Sequence, residues 1–306
     1  MTALSVIIPI YNEEGNIPAL YERLKKVVSA ITPEHELLFV NDGSRDRSIQ
    51  LIKEFTAKDS TVRYIDFSRN FGHQIAVTAG LDHAKGDAVV IIDADLQDPP
   101  ELIAEMYKKM KQGYEVVYAR RRNRKGEGWL KKTTAKYFYR ILASITSIDI
   151  PLDTGDFRIM HRSIVDVLKQ MPEQQKFLRG QISWAGFNQT FIEYDRDERH
   201  AGKTGYTYKK MIRFALDGIT SFSTLPLKFA SALGFIVSIA AFVTSLYVLF
   251  SKFVMHDAVP GWASLMLVVL FLGGVQLICI GIIGEYISRM SANVRNRPLY
   301  VVREMK

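Results

Sequence analysis

Residues 89–101, VVIIDADLQDPPE, decide the reading of this chain. An apolar run there delivers two carboxylates, Asp93 and Asp95, one residue apart. Side chains two apart on an extended strand point to the same face, so an Asp-x-Asp pair at a strand's end can hold one divalent cation through oxygen ligands. A Mg²⁺ or Mn²⁺ bound to a diphosphate suits such a pair. The bland alternative is a strand-ending Asx turn, with Pro99 opening the next helix.

The chain upstream decides between the two. Residues 4–10, LSVIIPI, predict a buried strand that stops at Tyr11-Asn12-Glu13-Glu14, after which Ile17, Leu20, Leu24, Val27 and Val28 keep helical spacing to Ala30. A second strand over 36–40 ends in Asn41-Asp42-Gly43-Ser44, with Asp46 following. A third over 62–67 ends in Ser68-Arg69-Asn70, ahead of a helix over 73–84. The Asp-x-Asp strand is therefore the fourth. Alternating strands and helices of this length predict an α/β fold with a mostly parallel, Rossmann-like sheet, whose ligands lie beyond the carboxyl ends of the strands. Pro9, Tyr11, Glu13, Asp42, Asp93 and Asp95 all fall at such ends.

Taken together, VIIPIYNEE, FVNDGSRDRS, SRNFGHQIAVTAGL, DADLQDPPE and DTGDFRIMHR (153–162) resemble the inverting family-2 glycosyltransferases of GT-A fold, in the branch of the polyprenyl-phosphate enzymes. The likeness covers nearly the whole chain. It implies that Asp42 hydrogen-bonds the nucleotide base, that Pro9, Tyr11, Asn12, Glu13 and Val40 line the donor nucleoside, and that Asp93, Ala94 and Asp95 bound the donor site. Asp95, Gln97 and Asp93 are then the metal ligands. Arg120, with Arg122 beside it, and Arg199, with Lys203 beside it, are the expected phosphate contacts. The mannosyl synthases of this branch carry a lysine where this chain has Gly205, so Lys203 is the weakest of these assignments. Asp156 occupies the place where related inverting enzymes keep a base, and is read as acceptor-side catalysis or positioning. Asp153 is read as a turn cap. Asp156, Asp95 and Arg120 form the expected catalytic set.

At 306 residues and 48% hydrophobic, the chain has room for one large domain and an appendage. Residues 229–251 and 262–284 carry no charge, and each run exceeds the roughly 20 residues needed to cross a bilayer. They predict a transmembrane hairpin with a short connection. Lys209, Lys210, Arg213 and Lys228 precede it and Arg289, Arg295, Arg297, Arg303 and Lys306 follow it, which predicts cytoplasmic termini in a bacterial inner membrane. The first apolar run is short and interrupted by Pro9, so it is not expected to act as a secretory signal. The predicted organisation is a catalytic domain over 1–205, a juxtamembrane helix over 206–228, the two spans, and a cytoplasmic tail over 285–306. Cys279 lies inside the second span and is assigned to packing. Gly273, Gly274, Gly281 and Gly284 permit close helix packing in the membrane, and a homo-oligomer is expected.

The net charge of +8 raises nucleic acid as a partner, but the basic residues concentrate where a membrane surface or a diphosphate explains them better, so no nucleic acid is expected. Residues 129–145 combine an apolar face (Trp129, Leu130, Tyr137, Phe138, Ile141, Leu142, Ile145) with Lys131, Lys132, Lys136 and Arg140, the pattern of an interfacial helix or of a helix packed on its own domain. In the cationic run 120–125, at least one arginine is expected to bind phosphate through a bidentate fork.

The expected activity is inverting transfer of a hexose, with UDP-glucose as the preferred donor, to a polyprenyl phosphate such as undecaprenyl phosphate on the cytoplasmic leaflet. GDP-mannose or a UDP-aminoarabinose type of donor is the alternative, and a separate flippase would present the product outside. A processive polysaccharide synthase would carry a Gln-x-x-Arg-Trp signature, where this chain has Phe177-Leu178-Arg179-Gly180-Gln181-Ile182-Ser183-Trp184. A non-enzymatic scaffold would not need the set Asp93, Asp95, Gln97 and Asp156.

Overall fold

The computed structural model describes residues 2–122, 154–195, 223–250 and 261–306. Arg199, Lys203, Asp153, the helix expected over 129–145 and residues 206–222 of the juxtamembrane helix lie outside them.

Four strands and four helices alternate as the sequence predicts: β1 (Leu4–Ile10), α1 (Ile17–Ile31), β2 (His35–Asn41), α2 (Ser48–Lys58), β3 (Val62–Phe67), α3 (His73–His83), β4 (Ala88–Ile91) and α4 (Leu102–Lys111). β5 (Val116–Arg121), β6 (Thr154–His161), α5 (Arg162–Lys169), α6 (Leu178–Trp184) and β7 (Gln189–Tyr194) complete the domain. The strands form an eight-stranded sheet in the order β7-β5-β6-β4-β1-β2-β3-β8, where β8 is Val302–Met305. β1 to β4 run parallel, β6 is antiparallel to both β4 and β5, and β8 is antiparallel to β3.

Alternation along each strand feeds two cores. Val6, Ile8 and Ile10 of β1 face Leu20, Leu24, Ile52 and Met106 of α1, α2 and α4. Ile7 faces the opposite layer, with Val77, Leu81, Ile164 and Ile182. Gly80 is required there, because a Cβ would stand 2.2 Å from Ile7 Cγ2. Pro9 sits in a central strand without costing a ladder bond. β4 pairs with β1 only from Leu4 to Ile7, and parity directs the nitrogen of Pro9 to that vacated side.

Two long helices follow, α7 (Leu225–Phe250) and α8 (Trp262–Arg295). Both contain stretches long and apolar enough to cross a membrane, Leu225–Thr244 and Phe271–Arg295, and almost nothing of either is buried in the protein. Core helices would be covered, so these helices mark a membrane-associated protein. Cys279 packs as expected, with Sγ 3.6 Å from the Ala230 carbonyl, and Tyr286 donates to the Ser223 carbonyl at 2.6 Å. Among the described residues, a Cβ at Gly273, Gly274, Gly281 or Gly284 would meet nothing within 4 Å.

Two ordered elements lie within 285–306. α8 continues past Gly284 to Arg295, and Asn296 in the left-handed region (φ 44°) ends it. The chain then returns to the sheet as β8. Tyr300 stacks on Phe67 and donates to Asp82 at 2.9 Å, while Glu304 accepts from Tyr64 and pairs with Lys53.

Candidate active site

The carboxyl ends of β1 to β4 open on one edge of the sheet, and two clusters stand there. The first lies at β1, β2 and β3. Asn12 has φ 56°, a conformation that asparagine tolerates better than most residues. Its N–H donates to Ser44 Oγ (3.0 Å), and its side-chain carbonyl accepts from the Arg45 N–H (2.8 Å). The Glu13 N–H donates to Ser48 Oγ (3.0 Å), and Glu13 Oε2 accepts from Asn16. Asn12 and Glu13 therefore stitch the β1–α1 turn to the β2–α2 turn. Asp42 does the same for the loop after β3, its carboxylate accepting from the backbone N–H groups of Phe71 (2.6 Å) and Gly72 (3.0 Å). Burial pushes its pKa up, and those two amides oppose the rise. Asp42 is thus a buried loop clamp, and Pro9 and Val40 are strand residues facing each other across β1 and β2. Of the expected nucleoside residues, Glu13 is half-buried, Asn12 is exposed, and so is Tyr11, at 45%. It borders a cavity of about 290 Å³ with Ser44, Arg45, Arg69, Asn70 and Arg303.

The second cluster lies at β4 and β6. β4 ends at Ile91, where its pairing with both β1 and β6 stops, so Asp93 and Asp95 stand in the turn beyond the strand rather than on it. Pleat alternation therefore does not set their directions. The turn does, through Leu96 at φ 58°, whose side chain is 6% exposed and anchored in the core. The Gln97 N–H closes the turn on Asp95 Oδ1 at 3.2 Å. Asp93 Oδ1 is buried without a hydrogen bond, 3.6 Å from His73 Nε2. Burial raises the Asp93 pKa; His73 opposes this, and the carboxylates of Asp156, Asp98 and Asp95 add to it. Among the described residues no three His, Cys, Asp or Glu side chains converge as a closed metal centre. An open site is a different matter. A buried carboxylate oxygen lacking a donor, next to a second carboxylate and an amide side chain, fits a hard cation that takes its remaining oxygens from a diphosphate and water.

Asp156 on β6 is the hub of this cluster. Its Oδ2 accepts from His73 Nε2 (3.0 Å) and Gln74 Nε2 (3.3 Å), and its Oδ1 from Arg179 Nε (2.9 Å), with Arg158 Nη2 at 3.7 Å. Burial works against its ionisation, but Arg179, His73 and Arg158 win, and the carboxyl is held well below the usual range. Asp156 and Asp93 together raise His73 to about 9 against the effect of burial, so the imidazole is cationic at neutral pH. The sequence places Asp156 at this edge but says nothing of His73, Gln74, Arg158 or Arg179, which arrive from α3, β6 and α6.

The arginines at the end of β5 divide differently from the expectation. Arg120 pairs with Glu193 of β7, and its guanidinium lies 3.7 Å above the Phe191 ring. Arg122 lies 3.8 Å from Glu193 and 3.5 Å from Asp195, largely exposed. Neither is with the carboxylates. Arg121 is: Nη2 stands 3.7 Å from buried Asp98, and Nε donates to the Tyr194 hydroxyl at 3.2 Å. Alternation along β5 explains the division, since its pairing with β7 is unbroken from Val116 to Arg121 and sets Arg120 beside Glu193 on one face and Arg121 beside Tyr194 on the other.

A carboxylate turn at β4, an aspartate ringed by cations at β6 and a cavity at β1 to β3, all on one edge of a mostly parallel sheet, define a ligand-binding α/β protein with room for a ligand lying across the strands. Comparison with known proteins gives the family. The glycosyl transferase family 2 model matches residues 5–168, and a model described as the GtrB C-terminal hairpin matches 225–290. An uncharacterized glycosyltransferase of Bacillus subtilis (strain 168), YkcC, is 53% identical over 98% of this chain and 93% of its own. A prophage bactoprenol glucosyl transferase homolog of Escherichia coli (strain K12) is 40% identical over 99% of each chain, and the SfII prophage-derived bactoprenol glucosyl transferase of Shigella flexneri is 40% identical over 98% and 97%. The chain belongs to glycosyl transferase family 2.

Proposed function

We propose that this protein transfers glucose from UDP-glucose to a polyprenyl phosphate such as undecaprenyl phosphate, at the cytoplasmic face of a bacterial membrane and with inversion at the anomeric carbon. The observation that carries this reading is the end-to-end likeness, hairpin included, to proteins named bactoprenol glucosyl transferase. The site supports it chemically. An acceptor phosphate oxygen attacks the anomeric carbon, the bond from that carbon to the donor diphosphate breaks, and its electron pair leaves with the nucleoside diphosphate. The attacking oxygen is already ionised at neutral pH, so no proton has to be removed.

That bears on Asp156. A carboxylate held low by Arg179, His73 and Arg158 is a weak base, and in this reading it positions cations that steady the two phosphates. A Mg²⁺ or Mn²⁺ held by Asp95, Asp93 and Gln97 would supply charge neutralisation on the departing diphosphate. Arg120 and Arg122 would meet phosphate only on leaving Glu193. Arg121 and Arg179 stand beside the carboxylates already. The family-level likeness leaves the sugar open, and incubation with a panel of sugar nucleotides and undecaprenyl phosphate, with the lipid product read by mass, decides it.

A further inference from the structure

The cavity beside Tyr11 has one wall that belongs neither to the β1 turn nor to those after β2 and β3. Arg303, on β8, reaches it from the last residues of the chain, after both long helices. Its placement is fixed twice over. Nη2 donates to the Ser68 carbonyl at 2.9 Å, and Nη1 lies 3.6 Å from Asp66, which is itself held by Asn41 at 2.7 Å. On either side of it the strand is pinned to the sheet by Tyr300 on Phe67 and Asp82, and by Glu304 on Tyr64 and Lys53. The side chain is nonetheless 62% exposed, and its guanidinium has donors beyond those that meet Ser68 and Asp66.

The cavity lies over the ends of β1, β2 and β3, so in the sheet order β4-β1-β2-β3 its middle is two strands from the carboxylates, about 10 Å at the usual strand spacing. A nucleotide whose diphosphate lies at Asp93 and Asp95 would therefore put its nucleoside at the Tyr11 end. Resting on the sugar-nucleotide reading above, we infer that Arg303 is a donor-binding residue, contributed by the C-terminal strand to the nucleoside end of the donor site. The segment that follows the membrane hairpin thus completes the pocket of the domain that precedes it. The guanidinium offers only donors, which suits the carbonyl oxygens of a keto base such as uracil.

The test uses the full-length protein in detergent, with UDP and UMP binding measured by calorimetry in EDTA and UDP-glucose kinetics measured with undecaprenyl phosphate. Losing one charged hydrogen bond should weaken UDP and UMP binding alike by roughly tenfold in Arg303→Ala, and raise the KM for UDP-glucose correspondingly with kcat little changed. Arg303→Lys should recover part of the loss. Arg303→Gln keeps an amide donor for the Ser68 carbonyl, so it should fold like wild type and still bind weakly. Wild-type UMP affinity in a folded Arg303→Gln or Arg303→Ala protein overturns the inference while leaving the transferase reading intact. A loss confined to UDP overturns it too, since Arg303 would then serve the phosphates. Absence of saturable binding of either nucleotide to wild type in Mg²⁺ as well as in EDTA would overturn both.

Discussion

Asp156 separates two kinds of contribution. Replacing it by asparagine removes the charge that balances Arg158, whose side chain is 4% exposed, together with Arg179 and His73. Breaking such a buried charge cluster should cost about 3 kcal/mol and should lower Tm. Displacement of the cations should cut transfer by about a hundredfold. The carboxyl pKa is depressed in the fold, so its stabilisation is complete above the ordinary aspartate value of about 4 and lost as pH falls further. Asp156→Asn should accordingly flatten the acid limb of a stability–pH curve recorded by thermal unfolding. Asp95→Ala should behave in the opposite manner, abolishing transfer with an unchanged Tm, and excess EDTA should mimic it on the wild type. Full turnover in EDTA would remove the metal from the account. The carboxylates themselves were legible in the sequence because DADLQDPPE and TGDFR are contiguous motifs. Their cationic partners were not: His73 lies 83 residues from Asp156 and Arg179 lies 23 away, and only the packing of α3 and α6 on β6 joins them.

At the scale of elements, the end of β5 yields a paired prediction. Arg120 forms an exposed ion pair that solvent screens, so Arg120→Ala should leave Tm nearly unchanged. Arg121→Ala strips a cation from beside buried Asp98 and should cost both stability and activity more heavily, as read by thermal unfolding and kcat/KM. The motif names an arginine in this run, but which one faces the carboxylates is decided by where β5 falls in its pairing with β7, which sets Arg121 beside Tyr194 and Arg120 beside Glu193. The turn after β2 gives a second test. Gly43 has φ 64°, and a Cβ there would stand 2.4 Å from the Arg69 carbonyl carbon and 2.6 Å from the Asn70 nitrogen. Gly43→Ala should lose about 1–3 kcal/mol to backbone strain alone and should weaken nucleotide binding by pushing the two loops apart. Strands β1 to β4 were readable because buried parallel strands are short apolar runs ended by turn residues. β8 was not, since Val302–Met305, VREM, is short and mostly exposed, and becomes a strand only by pairing with β3.

For the whole molecule, the return of β8 to the sheet constrains the hairpin. The chain leaves the domain before α7 and rejoins it after α8, so if both helices cross the bilayer the C-terminus lies on the same side as the catalytic domain. Ser223 at the start of α7 and Tyr286 near the end of α8 meet at that side. Reporters fused to either terminus should score cytoplasmic, and one inserted between His256 and Pro260 should score on the far side. The opposite result at any of the three positions would reject the hairpin. The product would then form on the cytoplasmic leaflet and require a separate flippase to present its sugar outside.

The most direct test of the central claim is transfer itself. Purified full-length protein, undecaprenyl phosphate and Mg²⁺ or Mn²⁺ are incubated with UDP-glucose and, in parallel, with other sugar nucleotides, and the lipid fraction is read by mass. The account predicts a single hexose added to undecaprenyl phosphate from UDP-glucose, lost with Asp95→Ala and with EDTA. Absence of any lipid-linked sugar from every donor, or a lipid carrying a lengthening chain of sugars, would contradict it.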